Sequence, residues 1–180
     1  QRLIDSLLSL SRVESHEHLH PNDDVKVTDM VNEVYELMAY RAVQCDKRIE
    51  LINNLPQNLN PIVHGNRDEM SEVLHNLLDN AIKYGDENSK VKLIFETDET
   101  NKNVKISVVN SGEGIDEIHL PRLTERFYRI DKARTRKLGG TGLGLAIVKH
   151  IVNRHRGRLQ IISEGNGEVV FIVYFPIIRV

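Results

Sequence analysis

Six of the eleven glycines in this 180-residue chain fall between residues 111 and 144, in a stretch without helical or strand periodicity. A loop of this length inside a compact domain is usually functional. It ends in Leu138-Gly139-Gly140-Thr141-Gly142-Leu143-Gly144-Leu145, directly before an apolar helical pattern. Glycines that open a helix bring backbone N–H groups close to a ligand, so the segment predicts an anion site. It has neither a Walker loop nor a full dinucleotide fingerprint.

The segments around this loop predict an α+β sandwich, a mixed sheet with helices packed on one face. Three segments carry apolar residues at helical spacing, and we expect helices from Thr28, with Asp29, to Gln44, from Asn66 or Asp68 to Tyr84, and from Leu143 to His155. A polar turn joins two β patterns as a hairpin. The expected strands are Val25–Val27, Arg48–Ile52, Pro61–His64, Val91–Phe95, Val104–Val108, Leu159–Ser163 and Val169–Phe175.

The first 24 residues differ from the rest. Residues 1–14 carry apolar residues at helical spacing, and because so short a helix is marginal alone, we expect its partner helix to lie outside the chain. Residues 15–24 are polar, which is typical of a linker, so residues 25–180 form the main domain. His16, His18 and His20 alternate in the linker and could bind a metal. A solvated linker is the simpler interpretation, since no cysteine or acidic cluster completes a site.

Composition limits the classes of function. Lys and Arg number 24 against 26 Asp and Glu, and the formal net charge of −2 argues against a bulk nucleic-acid binder. The single cysteine, Cys45, excludes an internal disulfide framework and fits a reducing compartment. No apolar run approaches the roughly 18 residues that span a bilayer. The chain begins with Gln1 instead of Met, so we expect a fragment whose upstream segments could hold a membrane anchor.

The helix predicted over residues 66–84 carries a polar stripe beside its apolar face. Asn76, Asn80 and Lys83 recur at i, i+4 and i+7 and therefore share one side of the helix. Asparagine is a mediocre helix former, so two on one stripe indicate a function. An amide oxygen can ligate a hard cation such as Mg²⁺, which needs few protein ligands, and a lysine can meet phosphate. A solvated polar face is the alternative.

Two further segments fit an anionic ligand. Residues 110–114, Asn-Ser-Gly-Glu-Gly, follow a strand directly, and their glycines permit close approach of the backbone to a ligand, although a plain glycine turn has the same pattern. Residues 122–137 hold seven basic residues against two acidic ones, which suits a lid over phosphates. A solvated loop or a nucleic-acid patch are the alternatives, but only Phe127 and Tyr128 could stack on bases.

In order and spacing, four segments resemble the sequence boxes of the ATP-binding domain of sensor histidine kinases, within the Bergerat-fold ATPase superfamily. They are residues 72–84 (N box), 110–114 (first glycine box), 125–129 (F box) and 140–148 (second glycine box). The resemblance covers about residues 22–180 and implies a sandwich with a mixed, mostly antiparallel sheet. Residues 120–129 are similar to phosphate-starvation sensor kinases. Residues 7–14 resemble the end of the second helix of the dimerisation and phosphoacceptor domain, so the phosphorylated histidine is expected before residue 1.

The resemblance implies Mg²⁺-dependent ATP binding and transfer of the γ-phosphate to that histidine, for relay to a response-regulator aspartate. It assigns Asn80 to the metal and Asn76, Arg129 and Lys137 to catalysis near the phosphates. The nucleotide-binding residues it implies are Asn76, Asn80, Lys83, Tyr84, Asn110, Gly112, Gly114, Ile115, Tyr128, Arg129, Lys137, Gly140, Thr141, Gly142, Leu143 and Gly144. It also implies a cytoplasmic domain of a membrane-anchored homodimer, with the dimerisation domain and a response regulator as partners and no nucleic acid.

Asn76 separates two branches of the superfamily. Hydrolytic members, such as gyrase-type and heat-shock-chaperone ATPases, place a glutamate at this position to activate water. An amide cannot accept that proton, so Asn76 favours transfer to a histidine, a nucleophile that needs little activation.

The chain departs from the family pattern at three places. The first glycine box normally begins with Asp, which accepts a hydrogen bond from the adenine amino group. The amide oxygen of Asn110 can still accept it, without the assistance of charge. The expected loss is about 1–2 kcal/mol, roughly 5- to 30-fold in affinity.

The other two departures are Glu113, which would repel phosphate if it pointed inward, and Gly167-Glu168-Val169-Val170. The latter segment lacks the usual Thr, which removes one hydroxyl from the pocket floor. A degenerate module that binds nucleotide weakly and acts through protein contacts is therefore the alternative function.

Overall fold

The computed structural model describes residues 2–16, 18–57, 59–131, 139–163 and 167–178. Its helices are α1 (Arg2–Ser15), α2 (Val27–Val43), α3 (Arg67–Tyr84) and α4 (Gly144–Arg154), with a 3₁₀ turn at Leu120–Arg122. Its strands are β1 (Asp23–Lys26), β2 (Arg48–Asn53), β3 (Ile62–Gly65), β4 (Lys90–Thr97), β5 (Asn103–Ser111), β6 (Arg158–Ser163) and β7 (Glu168–Pro176).

Five strands form a mixed sheet in the order β2-β4-β5-β7-β6, and β1 pairs with β3 in a separate two-stranded sheet. Strand β2 runs parallel to β4, whereas every other neighbouring pair is antiparallel. The mixed, mostly antiparallel α/β sandwich predicted from the sequence is confirmed.

One face of the sheet carries the helices. Because side chains alternate along a strand, the inward row of β5 lies beside the inward rows of its neighbours: Val108 stands opposite Leu93 on β4 and Phe171 on β7, and all three are buried. Helix α2 packs against β2, α3 against β4 and β5, and α4 against β6 and β7. The apolar face of α3, which includes the fully buried Leu74 and Leu77, fills the middle of this layer.

Helix α3, which carries the polar stripe, is fixed at both ends. Its N-cap is Asn66, whose side-chain oxygen accepts a hydrogen bond from the Glu69 N–H at 3.0 Å. At its C-terminus Lys47, only 8% exposed, donates to the carbonyl oxygens of Ile82 and Gly85. Gly85 has φ −68°, so the helix does not need glycine there for a left-handed turn. A Cβ on Gly85 would stand 2.7 Å from the Ala81 carbonyl oxygen, so glycine is required for space.

The predicted start of α2 at Thr28 is wrong. The helix begins at Val27, and its N-cap Lys26 makes no side-chain capping bond. The Val27 N–H donates to the Pro61 carbonyl at 3.0 Å and its side chain is fully buried, so strand β1 leads directly into the helix. Thr28 therefore lies inside the first turn, where its buried hydroxyl has no hydrogen-bond partner among the described residues.

Helix α1 has two different sides. Leu10 and Val13 are buried where the helix packs against α4, and Glu14 pairs with Arg126. On the other side Leu3, Ile4, Leu7 and Leu8 are 42–61% exposed. No helix in the described part of the chain is long and apolar enough to cross a membrane.

The linker predicted over residues 15–24 is shorter in the structure, because α1 extends to Ser15 and β1 begins at Asp23. Two of its alternating histidines bond to backbone carbonyl oxygens. The Nδ1 of His16 lies 2.8 Å from the Arg12 carbonyl, and the Nδ1 of His20 lies 3.0 Å from that of Arg154.

Candidate nucleotide-binding site

A cavity of about 280 Å³ lies between α3, the end of β5, the start of β7 and the two loops that flank the basic segment. Most of the residues predicted for nucleotide binding line it, although they come from four separate parts of the chain. They are Asn76, Asn80, Lys83, Tyr84, Asn110, Gly112, Gly114, Ile115, Tyr128, Arg129, Gly140, Thr141, Gly142 and Gly144.

One predicted residue within the described part of the chain, Leu143, is not among the lining residues. The side chain of Leu143 is fully buried in the core, and its backbone N–H lies 3.3 Å from the Thr141 hydroxyl oxygen. Leu143 is the N-cap of α4, so its apolar side chain anchors the glycine loop to the core. Lys137 lies outside the described residues.

The polar stripe of α3 faces the glycine loop across the cavity. The Asn76 side-chain nitrogen donates to the Glu72 carbonyl one turn earlier, at 3.0 Å. Its Oδ1 therefore points toward Gly144, where a Cβ would stand only 2.8 Å away. Without a side chain at Gly144, the N-terminus of α4 can approach α3 closely.

An acidic residue that the sequence analysis did not single out lies beside this stripe. Asp79 lines the cavity, and its two oxygens lie 2.5 Å from Lys83 Nζ and 2.5 Å from Arg41 Nη2. The i,i+4 spacing of Asp79 and Lys83 is a typical helical ion pair, so half of this cluster could have been found from the sequence. The two cations outnumber the carboxylate in this cluster, although Arg41 does not line the cavity, whose charged lining residues are Asp79, Glu113 and Asp131 against Lys83 and Arg129.

The F box segment donates two hydrogen bonds to backbone carbonyl oxygens of the glycine loop. Arg129 Nη2 donates to the Gly140 carbonyl at 2.7 Å, and the Phe127 N–H donates to the Gly142 carbonyl at 2.8 Å. Gly142 has φ +74°, and a Cβ there would stand 3.0 Å from the Phe127 Cα, so both conformation and space require glycine. These bonds place the Arg129 guanidinium at the cavity.

Tyr128 is held from two sides. Its hydroxyl lies 2.6 Å from His119 Nδ1, and the Arg122 guanidinium stacks 4.2 Å from its ring centroid. A cation over an aromatic face is attracted by the ring quadrupole, so the ring is fixed where it borders the cavity.

The opposite end of the cavity is apolar apart from one buried amide. Val169, Phe171 and Ile115 line it, and the Ile115 N–H donates to the Ser163 hydroxyl at 2.7 Å. Asn110 lies directly opposite Val169 in the sheet. The sequence analysis placed residues 167–170 at the pocket floor, and Val169 does line the cavity. Phe171 was not singled out, and the register of β7 against β5 explains why the strand reaches the cavity there.

The cavity therefore has an apolar end with one amide and a polar end with glycine loop backbone, Asn80, Lys83 and Arg129. An apolar ring system joined to an anionic tail fits this distribution, which is the chemistry of a nucleotide. Glu113 also lines the cavity, on the glycine segment next to the apolar end.

Sequence comparison agrees with the site. The family model described as histidine kinase-, DNA gyrase B-, and HSP90-like ATPase matches residues 65–179. The chain belongs to this ATPase family, and membership implies that it binds ATP.

Relatives define the branch within the family. The chain is 35% identical over 170 residues to the sensor histidine kinase WalK of Bacillus subtilis, a match that covers 94% of this chain and 27% of WalK. It is 37% identical over 181 residues to the phosphate regulon sensor protein PhoR of Pseudomonas aeruginosa, covering 97% of this chain and 38% of PhoR. The resemblance to sensor histidine kinases is confirmed, and the chain spans about a third of the length of these curated relatives.

Solved structures agree in fold. The catalytic domain of histidine kinase ThkA superimposes with a TM-score of 0.72 at 28% identity, over 86% of this chain and 95% of that domain. Full-length ShkA, solved in complex with AMPPNP, gives a TM-score of 0.83 over 99% of this chain and 36% of ShkA, at 23% identity. ThkA has also been solved in complex with the response regulator protein TrrA (TM-score 0.68, 28% identity, 86% of this chain and 41% of that chain).

Proposed function

We propose that this chain is the catalytic part of a sensor histidine kinase, which binds Mg·ATP and transfers the γ-phosphate to a histidine on a dimerisation domain outside the chain. The observation that carries the proposal is the meeting of the α3 stripe with the glycine loop across one cavity, with Arg129 bonded to that loop. The sensor kinases among the relatives support histidine as the acceptor.

The side chains present fit a magnesium–nucleotide complex. Asn80 lines the cavity and would offer its amide oxygen to Mg²⁺, which needs few protein ligands when phosphates supply others. Asp79 is a weaker candidate because Arg41 and Lys83 already neutralise its carboxylate. When bound, the ion supplies neutralisation of charge on the phosphates. Lys83, Arg129, Lys137 and the amides of the glycine loop would orient the phosphate chain, while Tyr84, Gly112 and Gly114 would border the nucleoside.

The residue at position 76 supports phosphoryl transfer over hydrolysis. Asn76 commits its side-chain nitrogen to the Glu72 carbonyl, and an amide oxygen is too weak a base to take a proton from water. The main task of the site is therefore to position and neutralise the triphosphate.

The exposed side of α1 indicates one partner of the whole protein. Its stripe of Leu3, Ile4, Leu7 and Leu8 is exposed, and an apolar helical stripe normally packs against another helix. We assign that stripe to the dimerisation and phosphoacceptor domain, and propose a response regulator as the recipient of the phosphate. The full-length protein would be an inner-membrane homodimer with this domain in the bacterial cytoplasm.

A degenerate module that acts through protein contacts is the second candidate. Asn110 and Glu113, which both line the cavity, favour it because both depart from the family pattern. The remaining glycines and basic residues of the cavity argue for a working site, so we rank nucleotide binding first.

Calorimetric titration with Mg·ATP tests the proposal. We expect a dissociation constant between micromolar and submillimolar, and Asn80→Ala should abolish the dependence of binding on Mg²⁺. Asn32→Ala, at an exposed position of α2, is the matched control and should bind like the wild type. The absence of heat up to millimolar nucleotide would contradict nucleotide binding and favour the degenerate module.

Radiolabelled ATP tests the transfer step. The chain alone should not label itself, because we place the acceptor histidine on another domain. Adding that domain from the full-length protein should produce acid-labile phosphate on its histidine. Phosphate on His16, His18 or His20 would show that the acceptor has been placed wrongly.

A further inference from the structure

Asn110 occupies a position where the fold would otherwise place an apolar side chain. The inward row of β5 runs Val104, Ile106, Val108 and then Asn110, and the first three are fully buried. Asn110 itself is 4% exposed. The protein does not fully enclose its amide atoms, because the residue lines the cavity, so a ligand that displaces water there has to supply their hydrogen-bond partners.

No group among the described residues fixes the orientation of this amide. Within the described part of the chain, no hydrogen bond of the Asn110 side chain is formed, although the residue lines the cavity. Its neighbours at this end, Val169 and Phe171, are apolar. The nearest glycine, Gly112, donates its N–H to the Gly167 carbonyl at 2.8 Å, so it does not compete for the amide.

An amide and a carboxylate select purine bases differently. A carboxylate only accepts hydrogen bonds, whereas an asparagine carries one acceptor and one donor group, exchanged by rotating the amide. Adenine presents an amino donor at C6, and hypoxanthine and guanine present a carbonyl acceptor there. Asn110 can therefore turn its oxygen toward the amino group or its nitrogen toward the carbonyl.

We propose that Asn110 relaxes base selection, so that the cavity accepts 6-oxopurine nucleoside triphosphates as well as ATP. This inference rests on the proposed nucleotide site. The amide oxygen retains the bond to adenine expected from the sequence, and the amide nitrogen removes the penalty that a carboxylate imposes on the C6 carbonyl. Sites built around one hydrogen-bonding pattern reject the wrong partner strongly because buried polar groups are left unpaired, and a rotating amide avoids that loss.

Inosine triphosphate is the sharpest probe, because its base differs from adenine only at C6 and the adjacent N1 proton. Calorimetry with Mg²⁺ should give wild-type affinities for ITP and ATP within about tenfold of each other, since both contacts are neutral hydrogen bonds of similar strength. Asn110→Asp should tighten ATP and weaken ITP, raising the ratio of the two dissociation constants at least about tenfold. GTP should follow ITP if the 2-amino group finds space.

The matched control is Asn32→Asp, which adds the same charge at an exposed position of α2 and should leave the ratio unchanged. The wild-type ratio needs no variant, so the test survives if Asn110→Asp fails to fold. Wild-type protein that binds ATP but rejects ITP more than a hundredfold would overturn relaxed selection and leave the nucleotide site intact. Wild-type protein that binds neither nucleotide would overturn the proposed site itself.

Discussion

The side-chain oxygen of Asn76 on α3 points at the first residue of α4, only 2.8 Å from where a Cβ on Gly144 would stand. The two helices meet here without a side chain between them, which brings the polar stripe against the glycine loop. Asn76 is not loose in this position, because its nitrogen donates to the Glu72 carbonyl at 3.0 Å.

Gly144→Ala should therefore weaken Mg·ATP binding while it changes the free energy of unfolding little. The new methyl group would force Asn76 to rotate and lose a hydrogen bond worth about 1 kcal/mol. Alanine is the better helix former by up to about 1 kcal/mol, so the free energy of unfolding should change by less than about 1 kcal/mol. Affinity for Mg·ATP should fall at least about tenfold, because the displaced amide intrudes between stripe and loop.

Urea unfolding and calorimetry on the same protein check this expectation. Lys149→Ala, at an exposed position of α4, is the control and should alter neither quantity much. Full affinity in Gly144→Ala would show that the close approach of the helices is unnecessary for the nucleotide.

Lys47 stabilises the C-terminus of α3 from the opposite side. It donates to the last carbonyls of the helix, at Ile82 and Gly85, and a cation there also complements the helix dipole. Lys47→Met keeps the apolar stem but leaves buried carbonyl oxygens without their donor, so the free energy of unfolding should fall by about 1–3 kcal/mol. Lys47→Arg should recover part of the loss.

Lys90→Met is the comparison for this experiment. The Lys90 side chain is 65% exposed and lies 4.0 Å from Glu50, and an exposed ion pair contributes at most about 1 kcal/mol. Urea titrations that give the same midpoint for both methionine variants would refute the capping role of Lys47.

Strong periodicity explains which elements could be predicted. The apolar positions of α3 repeat from Met70 to Ile82, and its start, its cap at Asn66 and its end at Tyr84 agree with the sequence analysis. The prediction of the start of α2 was wrong because a tertiary hydrogen bond from the Val27 N–H to the Pro61 carbonyl outweighed the capping preference of Thr28. Local pattern carries no information about such a partner 34 positions away in the chain.

In the site, too, residues in local sequence motifs could be predicted, whereas residues placed by tertiary contacts could not. Glycines and asparagines at family spacing predicted the N box, both glycine boxes and Arg129. Lys47 could not be predicted, because lysine is seldom buried. Its acceptors, the carbonyl oxygens at the end of α3, come close to it only in the folded chain. The pairing of Arg41 with Asp79 is likewise fixed by the packing of α2 on α3.

Asp98 organises the turn of the β4–β5 hairpin and should make it sensitive to acid. Its carboxylate accepts hydrogen bonds from the Thr100 hydroxyl and from the backbone N–H groups of Lys102 and Asn103. The side chain and backbone of Asn103 contribute most to lowering the pKa of Asp98 from 3.8 to about 2. Because this pKa is depressed on folding, the stabilisation is present above pH 3.8 and is lost as the pH falls toward 2.

At neutral pH Asp98→Ala should lower the free energy of unfolding by about 1 kcal/mol, the usual net contribution of a side-chain hydrogen bond. Glu99→Ala, in the same exposed turn, should cost far less. The difference between the two variants should shrink when unfolding is measured near pH 2.5. A difference that stayed constant with pH would mean that the ionised carboxylate contributes nothing to the turn.

His155 should make the whole fold less stable at mildly acidic pH. It is buried at the end of α4, where Nδ1 lies 2.8 Å from the Ile151 carbonyl and Nε2 accepts the Asn66 N–H at 2.9 Å. The ring is therefore neutral with its proton on Nδ1, and protonation of Nε2 would break the bond that holds the entry to α3. Burial, reinforced by the charge of Arg154, lowers the pKa of His155 below 6.5.

The sign of the effect follows from the unfolded chain, where an ordinary histidine binds its proton first as the pH falls. Stability contributed by neutral His155 is thus complete above about pH 6.5 and declines as the pH drops through the lowered pKa. His155→Gln can make both hydrogen bonds without titrating, so urea unfolding between pH 8 and 5 should show a smaller loss of stability than in the wild type. Burial also lowers the pKa of His75, so His155→Gln with His75→Gln should flatten the profile further. If His155→Gln kept the full wild-type slope, the acid sensitivity would have to come from groups other than this ring.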